Sequence, residues 1–411
     1  MTLTATDAGG PRHEAAAAPA TPKVTAVSER LGLSELITRL WADAPRRDTE
    51  RVLFSDLRPQ LRALRLGAVR LPREDGSRLP LSEFFELVLD LSAADSNFAH
   101  SLRNHYAAVE QHLLSPTAST PRILALARDG NLFGGAAQAE TGSSAQAATS
   151  AFERQADGAF LLTDRRYYST GSIYADYLVA GVTLDDGTQQ SVLIETDRAG
   201  VELPDDWDGF GQRLTGSGSI AFDRVRVTVD DFVERPAPDP DYPRYTFTFN
   251  QVYLTTVVAG IANRAFADAV EIVRTRSRNY YHGTAERVQD EPVIQAAIGV
   301  ASAKAFAATA TIRAAAELLE RAFAVPTDFA ASLEATLAAI RAKITVEELA
   351  LDVIDALTKV ASGSTLSTTR ALDRHWRNLK VLASHNPTIY KHRILGAYEL
   401  DGTTPPLGVY F

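Results

Sequence analysis

Apolar residues recur at helical spacing through most of the first 120 positions. In residues 29–41 and 81–114, Leu, Phe and Ala follow one another at mixed intervals of three and four, as a helix with a buried face requires. The pattern predicts an N-terminal helical domain at residues 25–120. Residues 1–24 are rich in Ala, Thr, Pro and Gly, and we expect them to be a disordered lead-in.

The hydrophobic period shortens to two between residues 121 and 235. Runs rich in β-branched and aromatic residues lie at 159–162, 177–184, 191–196 and 219–229. Asp-Gly pairs before two of these runs favour tight turns. The last run alternates in two phases, and the slip of one residue between them indicates a β-bulge. This part of the chain is therefore predicted to be a small antiparallel β-barrel or sandwich, with domain limits at 121–235.

Helical spacing returns after a Pro/Asp-rich linker at 236–243. Apolar residues step by four and three from Val346 to Val360, and others occupy further faces of the same segment. Such helices pack between neighbours, so we expect a C-terminal four-helix bundle at 245–395, with a spare apolar face for a subunit interface, and a tail at 396–411. The predicted fold is mainly α with a central β domain, and the order of elements disfavours a Rossmann fold or an α/β barrel.

Composition and charge exclude several classes of partner and of catalytic site. The net charge is −9 and there is no Lys/Arg-rich run, which argues against nucleic acid or an anionic membrane as main partner. No apolar run approaches the length of a membrane span, and we expect a cytoplasmic protein. Cysteine is absent and no histidine spacing fits a metal site, so neither a thiolate nucleophile nor a metal centre is expected. Nucleotide-binding glycine loops and a G-x-S-x-G elbow are also missing.

Two polar stretches could contact a ligand. Residues 131–144 contain small residues, Gly135 among them, that let backbone amides approach a flat or phosphorylated group, although a plain connecting loop fits as well. Residues 165–181 place the hydroxyls of Ser169 and Thr170 beside Tyr168. These hydroxyls could donate to a heteroaromatic nitrogen or only cap the turn.

Four further residues could have either a structural or a functional role. Trp207 could line a flat cofactor or pack in the core. His105 lies within a helix, where a single histidine is more often structural or exposed than catalytic. His385 precedes Asn386 and Pro387, and this Pro disfavours helix at the residue before it. His375 lies in a charged helix turn that makes salt bridges or binds a phosphate.

Taken together, the segments resemble the acyl-CoA dehydrogenase fold over roughly residues 25–395. "AAQAETGSS" at 136–144 is similar to that family's flavin-contacting T-E-P-x-x-G-S-D loop. "YYSTG" at 167–171 stands at the place of its W-I-T-N strand end, with Thr170 on the flavin-facing threonine. "FGQRLTGSGSIAFDRVRV" at 210–227 resembles its G-x-R-x-[ST]-x-[ST] segment and the following strand.

The C-terminal region departs from the dehydrogenases. They carry a catalytic glutamate in an I-Y-E-G-T-like turn, where this chain has "SHNP". "RHWRN" at 374–378, the following H-N-P and "YKHRILGAYEL" at 390–400 instead resemble the two-component flavin monooxygenases of this fold, the branch with dibenzothiophene monooxygenase. Gly135 stands where that branch often has asparagine. The resemblance implies catalytic roles for His105, Ser169, Thr170 and His385, and flavin contacts for Gly135, Gln138, Tyr168, Ser169, Thr170, Trp207, Arg278 and Arg374.

The resemblance also implies a reaction. Reduced flavin, FADH2 or FMNH2, would come from a separate NAD(P)H:flavin reductase, and O2 would add at the flavin C4a to give a (hydro)peroxide. Ser169 or Thr170 would hold N5, while a histidine would position or protonate the peroxide. The substrate would be an indole- or thiophene-like heterocycle that is hydroxylated or oxidised at a heteroatom, in a homotetramer. Two alternatives are an acyl-CoA dehydrogenase with a relocated base and a non-catalytic flavin-fold scaffold.

Overall fold

A computed structural model describes residues 22–136, 151–234, 245–363 and 365–406. Its N-terminal part is helical, as the apolar spacing predicts. The segment predicted as one helix from 81 to 114 consists of three, because Asp95 caps a new helix with its carboxylate, which accepts the amide hydrogens of Asn97 and Phe98. The helices are α1 (Ala26–Arg30), α2 (Ser34–Glu50), α3 (Arg58–Ala63), α4 (Leu81–Ala94), α5 (Ser96–Ser101), α6 (Arg103–Leu114) and α7 (Thr120–Arg128).

The central β domain consists of two packed four-stranded sheets. One has the order β1-β4-β5-β8 and the other β2-β3-β7-β6. All pairs are antiparallel except β1 with β4. Apolar side chains of both sheets, such as Phe160 and Ile194, share one core. The strands are β1 (Phe133–Ala136), β2 (Ala151–Arg154), β3 (Phe160–Arg166), β4 (Tyr177–Thr183), β5 (Gln189–Glu195), β6 (Val201–Glu202), β7 (Ile220–Val227) and β8 (Phe232–Val233).

The predicted bulge in the last long strand is confirmed. Along β7, Phe222 pairs with Asp164 and Val225 pairs with Leu162, so two residues of β7 face the single residue Thr163. The second of the two, Arg224, has a φ of 49°. The extra residue changes which side chains point inward, and this explains the two phases of alternation in the sequence.

Residues 245–363 and 365–406 form a bundle of three long helices, not four, with two shorter ones at its end. Helix α4 of the N-terminal part packs against α8 and α9 and completes the bundle. The residues that step by four and three from Val346 to Val360 are all buried, which confirms that face of α10. The helices are α8 (Tyr245–Thr275), α9 (Pro292–Ala324), α10 (Phe329–Val360), α11 (Arg374–Ser384) and α12 (Thr388–Asp401).

Helix α9 is apolar on two sides. Ala305 and Ile312 pack into the bundle core, whereas Val293, Val300 and Phe306 are 70%, 54% and 70% exposed. Within the part of the chain that the structure describes, α9 is the one helix long and apolar enough to cross a membrane, so the expectation of no such stretch was wrong. The exposed side of α9 is therefore an apolar stripe available for contact outside the chain.

Candidate active site

The turn after β3 lies directly on the junction of α5 and α6. Gly171 has a φ of 82° and packs so closely that a Cβ on it would lie 2.0 Å from the carbonyl oxygen of Ser101. The side-chain amide of Asn104 donates to the Thr170 carbonyl at 2.7 Å. Only glycine fits at 171, because both its dihedral angle and its surroundings exclude a side chain. The hydroxyls of this turn are thereby held beside the N-terminal helices.

Ser169 and Thr170 differ in what their hydroxyls do. Thr170 Oγ1 is hydrogen-bonded to Ser217 Oγ at 2.8 Å, and Ser217 in turn to Thr215 at 2.7 Å. Ser169 is 1% exposed, and its Oγ has no hydrogen-bond partner among the described residues. A buried hydroxyl without a partner costs about 1–3 kcal/mol unless a ligand or water satisfies it. Ser169 is thus the stronger ligand candidate of the two.

His105 has a structural position. Its Nε2 lies 2.7 Å from the Gly67 carbonyl oxygen, and the Phe133 amide donates to its Nδ1 at 3.2 Å. Burial lowers the pKa of this histidine to about 4. Both ring nitrogens of the neutral imidazole are used by backbone groups, so the structure favours the structural interpretation of His105 over the catalytic one.

His100, which the sequence reasoning missed, has a free ring nitrogen instead. Its Nδ1 is 3.0 Å from Gln212 Oε1, so Nδ1 carries the hydrogen, while Nε2 is buried without a partner among the described residues. Burial and the charge of Arg103 lower the pKa of His100 to about 3. At neutral pH His100 therefore presents an unprotonated Nε2 as a hydrogen-bond acceptor. The only sequence signal was a second histidine five positions before His105.

Gln212 joins three parts of the chain at this point. Its side-chain amide donates to Ser96 Oγ at 3.1 Å, and its backbone N–H donates to Asn378 Oδ1 at 2.6 Å. A second link runs from the Leu214 amide to Asn97 Oδ1 at 3.2 Å. The loop 210–219 is therefore fixed between α5 and α11. Two segments on which the resemblance depends, 210–227 and 374–378, are thus in direct contact.

His385 stands at a helix break, as predicted. Helix α11 ends at Ser384 and α12 begins at Thr388. The His385 side chain is exposed to solvent. Desolvation by the surrounding protein, followed by the charges of Arg103 and His100 and then of Lys343, lowers the pKa of His385 to about 3. The two histidines and Arg103 thus act on one another across one site.

Tyr168 and Trp207 form an aromatic pair at the surface. Their ring centroids are 6.4 Å apart in an edge-to-face arrangement, and Tyr168 is 72% exposed. Trp207 Nε1 donates to the Gly211 carbonyl at 3.3 Å. Trp207 is only half-buried, so it lines the surface next to the loop 210–219 and is not ordinary core.

The glycine-containing stretch is described only in part. Gly135 lies in β1, and a Cβ there would lie 3.1 Å from Asn104 Nδ2. An asparagine amide is therefore present beside Gly135, but it comes from α6. Gln138 lies outside the residues that the structure describes.

The two arginines predicted to contact flavin have different surroundings. Arg278 follows the end of α8 and is exposed. Arg374 is buried and pairs with Asp268, 3.1 Å away, which also binds Arg264 at 2.8 Å and His375 at 2.7 Å. The charges of Arg264 and Arg374 and the hydrogen bond with His375 hold the pKa of Asp268 far below its usual range despite its burial. The salt bridge of this helix turn is made by Arg374, whereas burial lowers the pKa of His375 to about 4, so that His375 is neutral at pH 7 and forms a hydrogen bond. Because Arg374 is engaged with Asp268, the structure does not support it as a flavin ligand.

Comparisons with known proteins agree with this arrangement. Residues 252–388 match the family described as "Acyl-CoA dehydrogenase, C-terminal domain". A crystal structure of methanesulfinate monooxygenase from Pseudomonas fluorescens superposes with a TM-score of 0.82 at 24% identity, covering 95% of this chain and 100% of that one. FMN-bound TdsC from Paenibacillus gives 0.83 at 22% identity, covering 93% and 100%. The chain has the acyl-CoA dehydrogenase fold.

The sequence comparison places this acyl-CoA dehydrogenase-fold protein beside flavin monooxygenases. Dibenzothiophene monooxygenase of Rhodococcus erythropolis is 26% identical over 407 residues, which is 93% of this chain and 96% of the relative. A probable FMNH2-dependent monooxygenase of Pseudomonas putida is 26% identical over 260 residues, 62% of this chain and 66% of the relative. The resemblance stated from the sequence motifs is confirmed.

Proposed function

We propose that this protein is a flavin-dependent monooxygenase that takes reduced flavin from a separate reductase and oxidises an indole- or thiophene-like heterocycle with O2. The observation that carries the proposal is that Ser169 Oγ and His100 Nε2 are both buried and have no hydrogen-bond partner in the part of the chain that the structure describes. Neutral His385 stands where the resembling dehydrogenases have a glutamate. Relatives named dibenzothiophene monooxygenase and a TdsC structure with indole bound support this substrate class.

The residues present fit a flavin. The unpartnered Ser169 hydroxyl is a hydrogen-bond donor next to a turn that glycine brings close to α5. Reduced flavin, when bound, supplies the two electrons that reduce O2, so that one oxygen atom enters the substrate and the other leaves as water. Ser169 would hold the ring system, and Arg278 would hold the phosphate. His100 would accept a hydrogen bond at Nε2, and His385 would orient the reacting partner. We propose FMN over FAD because one relative is a probable FMNH2-dependent monooxygenase and TdsC has been crystallised with FMN bound.

The test is single-turnover oxidation by the purified protein with reduced FMN under labelled oxygen, with indole and dibenzothiophene as substrates. We expect one labelled oxygen atom in the product and little hydrogen peroxide. Ser169→Ala should weaken flavin binding, while Ser384→Ala, which alters an exposed serine at the end of α11, should not. Anaerobic bleaching of oxidised flavin by acyl-CoA would favour a dehydrogenase instead. Absence of any flavin-dependent oxygen uptake would favour a scaffold.

We also propose that the protein is a cytoplasmic homotetramer. The exposed apolar stripe of α9 supports an interface, because soluble chains rarely leave such a surface uncovered. Light scattering on the purified protein tests the assembly. The double substitution Val300→Asp and Phe306→Asp should give smaller particles, and an unchanged mass would remove α9 from the interface.

A further inference from the structure

One cation in the candidate active site has no anion to neutralise it. Arg103 is the first residue of α6, and its guanidinium makes no hydrogen bond or ion pair within the described ranges; its Nε is buried. Five fully buried arginines of the described residues, unlike half-buried Arg103, are each paired with a carboxylate, namely Arg47, Arg70, Arg166, Arg264 and Arg374. A buried charge without a counter-ion costs several kcal/mol, and proteins retain one mainly where a ligand will pair with it.

The position of Arg103 ties this charge to the reaction site. The preceding turn of the chain carries His100, and the next residue, Asn104, donates to the Thr170 carbonyl beside Ser169. The charge of Arg103 acts on both His100 and His385. Burial lowers the pKa of Arg103 to about 10, so the guanidinium is still charged at neutral pH.

The other cation near His385 is already compensated. Lys343 forms an ion pair with Glu347, whose second carboxylate oxygen accepts a hydrogen bond from the Thr388 hydroxyl. The Arg103 guanidinium therefore leaves an uncompensated positive charge beside two neutral histidines. A neutral substrate would leave this charge unpaired, whereas a substrate with an acidic group would pair with it.

We propose that Arg103 binds an anionic group of the substrate, a carboxylate or sulfinate attached to the ring system that is oxidised. This inference rests on the proposed function and narrows its substrate class from neutral heterocycles to aromatic acids. A guanidinium offers two parallel N–H donors, which match the two oxygens of such a group in geometry and charge.

The test measures binding by calorimetry to the flavin-free protein, with indole-2-carboxylate and its neutral carboxamide as matched probes. We expect the carboxylate to bind at least tenfold more tightly, and we expect this preference to decrease at high salt. In Arg103→Gln the preference should vanish, and in Arg103→Lys it should be partly retained. Arg341→Gln removes the same charge from the surface, where Arg341 pairs with Glu399, and should keep the wild-type preference. Benzenesulfinate and benzenesulfonamide repeat the comparison for the sulfinate class.

Several outcomes would overturn the inference. One is equal affinity of wild type for both probes of each pair; another is a preference that persists in Arg103→Gln. Loss of FMN binding in that variant with the carboxylate preference intact would assign the charge to the flavin phosphate. The salt dependence in wild type decides the case if a variant does not fold. If the protein binds the acids preferentially through Arg103 but inserts no oxygen into them, this inference is supported and only the proposed function is refuted.

Discussion

His100 provides the sharpest test of how the site handles protons. Its pKa is lowered to about 3 by burial and by Arg103. Neutral pH lies about four pH units above this pKa, so protonating His100 at pH 7 costs roughly 5 kcal/mol at 1.36 kcal/mol per unit. Because so little of His100 is protonated at neutral pH, a mechanism in which its imidazolium acts as a general acid would contribute almost nothing to the rate. We expect His100 to act as a neutral acceptor at Nε2, so the product formed per O2 consumed should not change between pH 5 and pH 8.

The perturbation is His100→Ala, with His100→Gln as the variant that keeps a neutral acceptor. The Ala variant removes the acceptor and leaves Gln212 Oε1 without its partner, a loss of about 1–3 kcal/mol. We expect product per O2 to fall about tenfold or more in Ala and less in Gln, with the missing oxygen recovered as hydrogen peroxide. The assay is an oxygen electrode with product and peroxide measured at each pH. A wild-type step with an apparent pKa of 6 to 7 that disappears in His100→Gln would refute the reasoning.

Three further substitutions test the surroundings of the site. Gln212→Leu should lower product per O2 about tenfold with flavin affinity within twofold of wild type, because His100 loses its orienting partner; unchanged coupling would contradict this. Glu110→Gln should lower the unfolding free energy in urea by about 3–5 kcal/mol, since buried Arg70 loses its counter-ion, and an unchanged midpoint would be evidence against the ion pair. Burial raises the pKa of Asp95 to about 6, above its unfolded value, so its ionisation removes stability as pH rises from about 4 to 6. Asp95→Asn should exceed wild type by up to about 3 kcal/mol above pH 6 and match it near pH 4; a constant difference would contradict this.

Structural features that depend only on neighbouring residues could be predicted from the sequence. The bulge at Arg224 shows in the alternation of a single strand, and the break after Ser384 follows from the steric effect of Pro387 on the residue before it. Both depend on a few consecutive residues, so no knowledge of distant contacts was needed. The order of helical and strand regions is likewise a local property of the hydrophobic period.

The choice of histidine could not be made in this way. His100 and His105 belong to successive short helices, α5 and α6, and only packing shows that the nitrogens of His105 meet the Gly67 carbonyl and the Phe133 amide. The burial of Arg374 against Asp268 depends in the same way on a residue 106 positions distant. Tertiary contacts decide whether a polar group already has a hydrogen-bond partner or is available to a ligand. No short stretch of the sequence indicates these contacts.

The junction at Gln212 has a consequence for how the protein matures. The side chains that it joins lie 112, 116 and 166 positions away along the chain. Contacts over such separations form late in folding, because closing a large loop costs conformational entropy before the contacts can stabilise the chain. Asn378 is synthesised after the sheets and the N-terminal helices, which are by then available to fold. A nascent chain that has not yet reached Asn378 therefore lacks the contact that fixes Gln212 beside His100, and the candidate site becomes complete only after α11 has been made.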